Sequence, residues 1–271
     1  MVRSFTHGAT LAYRSYGSGP VHVLAFPGFG RTGADFAVLE AAFGRQCTVH
    51  AFDLPFHGES PKPRERTRNP YPPGELARFF TAFVNMLDRE RVVLLGYSLG
   101  GRLALSLLEQ MPERVSHLVL LAPDGLRSHP WYRAAAKYRF GRWLYARFVE
   151  KPTLARALTR LLYRHGPMNE RMYRFLEEHM ATREVRQLVH DVWLSFRLLE
   201  PDLARVGALL REHGIPAHLV FGARDRVIPP SLGQGLRRDA PQQVRITVVE
   251  AGHALLTPAV MERLAETGLL E

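Results

Sequence analysis

The sequence predicts an α/β protein, with a mostly parallel central sheet, helices on both faces and one inserted block of helices. Two observations lead there. Short apolar runs that read as strands alternate with segments of helical apolar period, over residues 9–125 and again over 211–271. Residues 126–210 contain no convincing strand, yet Arg, Leu and aromatic residues recur there at helical spacings. With 271 residues the chain can bury one substantial core and still carry an insertion.

The elements follow in order. Residues 9–16 and 21–26 read as strands, the second ending at Pro27 and Gly28. Residues 34–43 read as helix and 48–53 as strand. A helix from Pro73 to Asp88 places Leu76, Phe79, Phe80, Phe83 and Leu87 at helical spacing. The apolar run 91–95 leads into a glycine-flanked serine and then a helix with Leu99, Leu103, Leu107 and Met111 on one face, stopped at Pro112. Val115 to Ala122 is a further buried strand, and residues 217–222 and 244–250 are two more. The last helix begins near Thr257 as N-cap, with Pro258 at its first position. The Pro- and Arg-rich stretch from Pro61 to Pro73 reads as an exposed loop. The expected division is a core of residues 1–125 and 211–271 and a helical cap of residues 126–210. There is no internal repeat.

Composition narrows the class. With 46% hydrophobic and 23% charged residues this is an ordinary globular composition. No run reaches the ~18 apolar residues of a membrane span, and the first residues lack a signal-peptide core. The single cysteine, Cys47, is expected as a small buried residue in or beside a strand, and it calls for no oxidising compartment. A cytoplasmic location is therefore the default. The formal charge of +10 is concentrated: residues 127–205 carry 16 Lys and Arg against 8 Asp and Glu. Such a basic segment can steer an anionic substrate or meet an acidic lipid surface, or simply be a solvated helical face. It contains no nucleic-acid-recognition motif, so nucleic-acid binding is not expected.

The chemistry begins at Gly96, Tyr97, Ser98, Leu99 and Gly100, a G-x-S-x-G sequence between a strand and a helix. A turn that sharp needs glycines on either side. It lifts the serine hydroxyl above the sheet edge, beside the N–H groups at the helix N-terminus. A serine hydroxyl is a poor nucleophile without a base and an oriented acid. Asp225 follows the strand 217–222 and His253 follows the strand 244–250, so both emerge at the edge where Ser98 emerges. Asp124, after the strand ending at Ala122, is a second candidate for the acid. His57 precedes the nucleophile and reads as part of a structural turn. His179 and His190 lack metal-ligand spacing, and no metal site is expected. Neither a P-loop nor a dinucleotide fingerprint occurs, and no cofactor is expected.

These segments together resemble the α/β-hydrolase family of serine hydrolases over nearly the whole chain. Residues 26–30 (Phe-Pro-Gly-Phe-Gly) are similar to its His-Gly-x-Gly oxyanion loop, with Pro27 where the family often has histidine. Residues 53–60 resemble its Asp-x-x-x-His-Gly-x-Ser segment; residues 96–100, 222–225 and 252–253 match the nucleophile elbow, acid loop and histidine loop. The resemblance implies Ser98 as nucleophile, His253 as base, Asp225 as its orienting acid, and the backbone N–H groups of Phe29 and Leu99 as oxyanion donors. It implies hydrolysis of a carboxylic ester through an acyl-serine. Acyl transfer, thioester or carbon–carbon bond cleavage with the same triad are alternatives, as is a low-turnover binding member of the fold. The implied partner is a small-molecule acyl substrate, apolar or anionic. The cap would lie over the carboxyl ends of the strands, where open α/β sheets bind ligands, and its aromatics (Trp131, Tyr132, Tyr138, Phe140, Trp143, Tyr145, Phe148) are core or substrate contacts.

Overall fold

A computed structural model describes residues 1–127, 147, 149–150, 152–166, 170, 173, 177 and 182–267. Eight strands form one sheet: β1 Arg3–His7, β2 Ala9–Tyr16, β3 Val21–Phe26, β4 Cys47–Phe52, β5 Val92–Tyr97, β6 Val115–Leu121, β7 Ala217–Gly222 and β8 Val244–Val249. Their order is β1-β2-β4-β3-β5-β6-β7-β8. The pairs β1/β2 and β2/β4 are antiparallel and all others parallel. Helices α1 Val38–Phe43, α2 Pro73–Met86, α3 Leu99–Gln110, α4 Pro152–His165, α5 Arg183–Ser195, α6 Leu203–Glu212, α7 Gln234–Asp239 and α8 Pro258–Ala265 are described.

The central strands explain themselves. In β5 and β7 every residue is buried, the pattern of a parallel strand covered on both faces. β8, at the edge, keeps Val244 and Val249 buried and exposes Val248. Phe52 of β4 meets Phe80 and Phe83 of α2 edge-to-face at 5.1 and 4.9 Å, and Phe26 of β3 meets Phe80 at 5.0 Å. Cys47 is buried in β4, and Thr257 caps α8 through the Val260 amide with Pro258 at its first turn. β1 is an addition to the expected set. Its five residues carry one large apolar side chain, Phe5, which packs on Phe79 and Phe83 at 5.2 and 5.1 Å.

The chain packs as two units: residues 1–62, 72–127 and 199–271, and residues 63–71 and 128–198. The first unit thus takes α6, which runs across the expected boundary at residue 210. Its Val206, Leu209 and Leu210 are buried, its N-cap Asp202 accepts from the Ala204 and Arg205 amides, and the Asp202 amide donates to Glu109 of α3 at 3.1 Å. The second unit takes residues 63–71, which are not simply an exposed loop. Residues Arg64–Thr67 form a 3-10 turn and Tyr71 is buried. The Tyr71 ring lies 5.7 Å from that of Phe196, its amide donates to the Ser195 carbonyl at 2.9 Å, and Arg66 sits 4.3 Å over the ring. Arg197 donates to the carbonyls of Thr67 and Arg68 at 2.8 and 3.0 Å. The seven cap aromatics named above and His179 lie outside the described residues. Among the described residues no helix is long and apolar enough to cross a membrane.

Candidate active site

Parallel strands deliver their C-terminal ends to one edge, and four of them carry the site. Ser98 follows β5 directly, Phe29 lies three residues past β3, Asp225 three past β7 and His253 four past β8. The His253 Nδ1 is 2.8 Å from Asp225 Oδ2, and its Nε2 is 3.1 Å from Ser98 Oγ. The other Asp225 oxygen accepts from the amides of Val227 and Ile228 at 2.7 and 2.9 Å. Burial alone would raise the Asp225 carboxyl. The hydrogen bond from His253, the Ile228 amide, the His253 charge and the Val227 amide outweigh it, and the carboxyl sits below its ordinary value. An ionised carboxylate only accepts, so the proton resides on Nδ1. That leaves Nε2 as the acceptor of the Ser98 hydroxyl proton.

The turn that presents Ser98 is strained. Its φ is 51° and ψ is −115°, a conformation that costs on the order of 1–3 kcal/mol and persists only where the surroundings hold it. They do so from both sides. The Ser98 amide donates to Leu121 of β6 at 3.0 Å, and the Ser98 carbonyl accepts from Gly101 and Asp124 at 2.8 Å each. A Cβ on Gly96 would stand 2.5 Å from the Gly100 carbonyl oxygen, and one on Gly100 would collide with the Phe26 backbone. The glycines are thus there for close approach. Leu99 is the first residue of α3, and the loop bearing Phe29 passes tightly against the serine, since a Cβ on Gly28 would lie 3.2 Å from that of Ser98.

The remaining candidates do not join the line from Ser98 through His253 to Asp225. Asp124 turns to Arg102 of α3 at 2.7 Å and accepts from the Gly125 amide at 2.7 Å. Its amide braces the elbow, but it is Asp225 that meets the histidine. His57 is buried in its own turn, its amide donating to Leu54 at 2.9 Å and its Nδ1 lying 3.0 Å from the Pro55 carbonyl; burial lowers it. His190 contacts the neighbouring Asp191 on α5 at 2.9 Å. No group of three or more His, Cys, Asp or Glu arranged to hold a metal ion occurs among the described residues.

Two long-range contacts escaped the sequence. Tyr97, at a variable position of the pentapeptide, donates its hydroxyl to the His253 carbonyl at 3.1 Å, and its ring lies 5.6 Å from the imidazole. Asp53 is fully buried, with Arg14 Nη1 3.0 and 3.1 Å from its oxygens and the Gly33 and Glu59 amides at 2.7 and 2.9 Å. Only the Asp-x-x-x-His-Gly-x-Ser pattern hinted at Asp53, and nothing local hinted at its partner Arg14.

A family model described as alpha/beta hydrolase fold matches residues 21–258. The chain is 27% identical over 256 residues to an uncharacterized hydrolase, YugF, of Bacillus subtilis, covering 93% of this chain and 91% of that one. It is 31% identical over 246 residues to a pimeloyl-[acyl-carrier protein] methyl ester esterase of Stenotrophomonas maltophilia, covering 88% and 87%. A thermophilic esterase structure from Thermogutta terrifontis superposes with a TM-score of 0.65 at 20% identity, covering 98% of this chain and 96% of the other. That last likeness is one of fold.

Proposed function

The chain belongs to the alpha/beta hydrolase fold family, and from that premise we propose that it is a serine hydrolase cleaving a carboxylic ester. The observation that carries this reading is the hydrogen-bonded line from Ser98 Oγ through His253 to Asp225, at 3.1 and 2.8 Å. The esterase name of the Stenotrophomonas relative supports the ester as the bond cleaved.

The steps follow from the protonation states. Ser98 Oγ attacks the ester carbonyl carbon as its proton passes to His253 Nε2. Asp225, ionised and hydrogen-bonded to Nδ1–H, steadies the imidazolium. The carbonyl oxygen becomes an oxyanion and takes hydrogen bonds from the Leu99 and Phe29 amides, each such donor being worth about 3–4 kcal/mol at the barrier. Collapse breaks the bond to the alcohol oxygen, which leaves with the proton from Nε2. Water then attacks the acyl-Ser98, giving its proton to the same nitrogen, and the carboxylic acid departs as Ser98 recovers its hydrogen.

A panel of p-nitrophenyl and methyl esters of increasing acyl length, followed by release of alcohol and free acid, tests the reading. Hydrolysis by the wild type and none above background by Ser98→Ala is the expected result. An acyl product found only when an amine or alcohol acceptor is supplied would make the enzyme an acyltransferase instead.

A further inference from the structure

We propose that Tyr97 is a positioning residue that fixes His253 relative to Ser98; this rests on the hydrolase reading of that pair. Tyr97 is 6% exposed, so its hydroxyl needs an internal partner. The partner is the main-chain carbonyl of His253, 156 positions away, at 3.1 Å.

The loop carrying the histidine lies between β8 and α8 and has no regular structure. Its first part is tied down by the Arg224 amide on the Ala251 carbonyl at 2.9 Å and by the Arg224 side chain on the Glu250 carbonyl at 3.1 Å. Its last part is closed by the Thr257 amide on the Leu255 carbonyl at 2.9 Å. The Tyr97 bond falls between these ties, on the residue whose imidazole must meet the serine.

Tyr97 is also Ser98's chain neighbour. The hydroxyl-to-carbonyl bond therefore closes a loop of contacts: Ser98 Oγ to the imidazole, the imidazole to its own backbone, that backbone to Tyr97, and Tyr97 back to Ser98. Within it, the Tyr97 side chain ties the backbone of His253 directly to the chain segment bearing Ser98, in addition to the contact of Asp225 with the imidazole. The ring is held in turn. It lies at 33° to the imidazole with 5.6 Å between centroids, and Gly28 backs it on a side where a Cβ would be 3.2 Å from the ring. Displacement of a catalytic group by about 1 Å can cost on the order of 100-fold in rate, so an anchor of this kind acts on turnover rather than on substrate affinity.

Tyr97→Phe keeps the ring and removes the donor. The expected outcome is a kcat on p-nitrophenyl butyrate lowered roughly tenfold with KM within about twofold, and a matching fall in the rate of labelling by a fluorophosphonate. The thermal midpoint should drop by no more than roughly 4 °C. Wild-type kcat and labelling rate in the variant would overturn the positioning role while leaving the hydrolase reading intact. So would a larger midpoint drop with kcat and KM both disturbed, since that would mean plain packing. Absence of labelling in the wild type, with Ser98→Ala as the blank, would overturn the hydrolase reading and this inference with it.

Discussion

At the residue scale the decisive contact is the one between His253 and a carboxylate. Asp225 receives Nδ1–H and two backbone amides, whereas Asp124 spends its charge on Arg102. Asp225→Asn should therefore lower kcat by on the order of 10⁴, because the amide favours the wrong imidazole tautomer. Asp124→Asn should cost less than roughly tenfold, since it alters a neighbour of the elbow and no group that moves a proton. Steady-state kinetics on one chromogenic ester, with circular dichroism to verify folding, compares the two. A larger loss for Asp124→Asn would reassign the acid. That Ser98, Asp225 and His253 come together was legible in the sequence because each follows a recognisable strand, and a parallel sheet gathers such ends without further information. Tyr97 was not legible, since its position in the pentapeptide accepts many residues and its partner is distant in the chain.

At the element scale the loop after β4 depends on a buried ion pair. Asp53 has no exposed side-chain surface, and Arg14 on β2 is 19% exposed. Arg14→Met would strand the carboxylate with only two amides for company and should destabilise the fold by about 3 kcal/mol. That corresponds to a fall in thermal midpoint of roughly 10 °C, read by calorimetry. Arg31→Met, which breaks the half-exposed pair with Asp35 at 2.8 Å, should move the midpoint little. Equal effects of the two changes would show that the buried pair has no special weight. Elements with a strong period were legible, among them α2, α3 and the buried strands. β1 was not, because Arg3–His7 offers one apolar side chain and is paired only at the edge. α6 runs across the expected boundary at residue 210 for a related reason. Its pattern says that one face is buried, and only the fold says that the face is covered in the unit containing α3.

Across the whole molecule, buried histidines set the acid limit of stability. Burial pushes His50 down to about 4, helped by the charges of His22 and Arg3, and pushes His218 down to about 4, helped by Arg245. His50 sits between Ser15 and His22, 3.2 and 3.0 Å away, and His218 contacts Thr247 at 2.7 Å. Each is neutral in the fold over a range where the unfolded chain, titrating near 6.5, binds a proton. The unfolded state then holds more protons, so stability rises with pH across that range. It is complete above about pH 6.5 and drains away as pH falls toward 4. Thermal midpoints measured from pH 7.5 to 4.5 should decline steadily below pH 6.5, and His50→Gln should flatten the decline. A midpoint independent of pH over that interval would contradict the assignment. Such a dependence could not be read from the sequence, where His22, His50 and His218 stand alone with no motif around them.

The strained, glycine-framed Ser98, with His253 and Asp225 in line behind it, points to an activated nucleophile at Ser98. Incubation with a fluorophosphonate, followed by digestion and mass spectrometry of the labelled peptide, tests it most directly. The expected result is a single adduct on Ser98, lost in Ser98→Ala and formed far more slowly in a folded His253→Ala. Folded wild-type protein that remains unlabelled, or an adduct on any other residue, would contradict it.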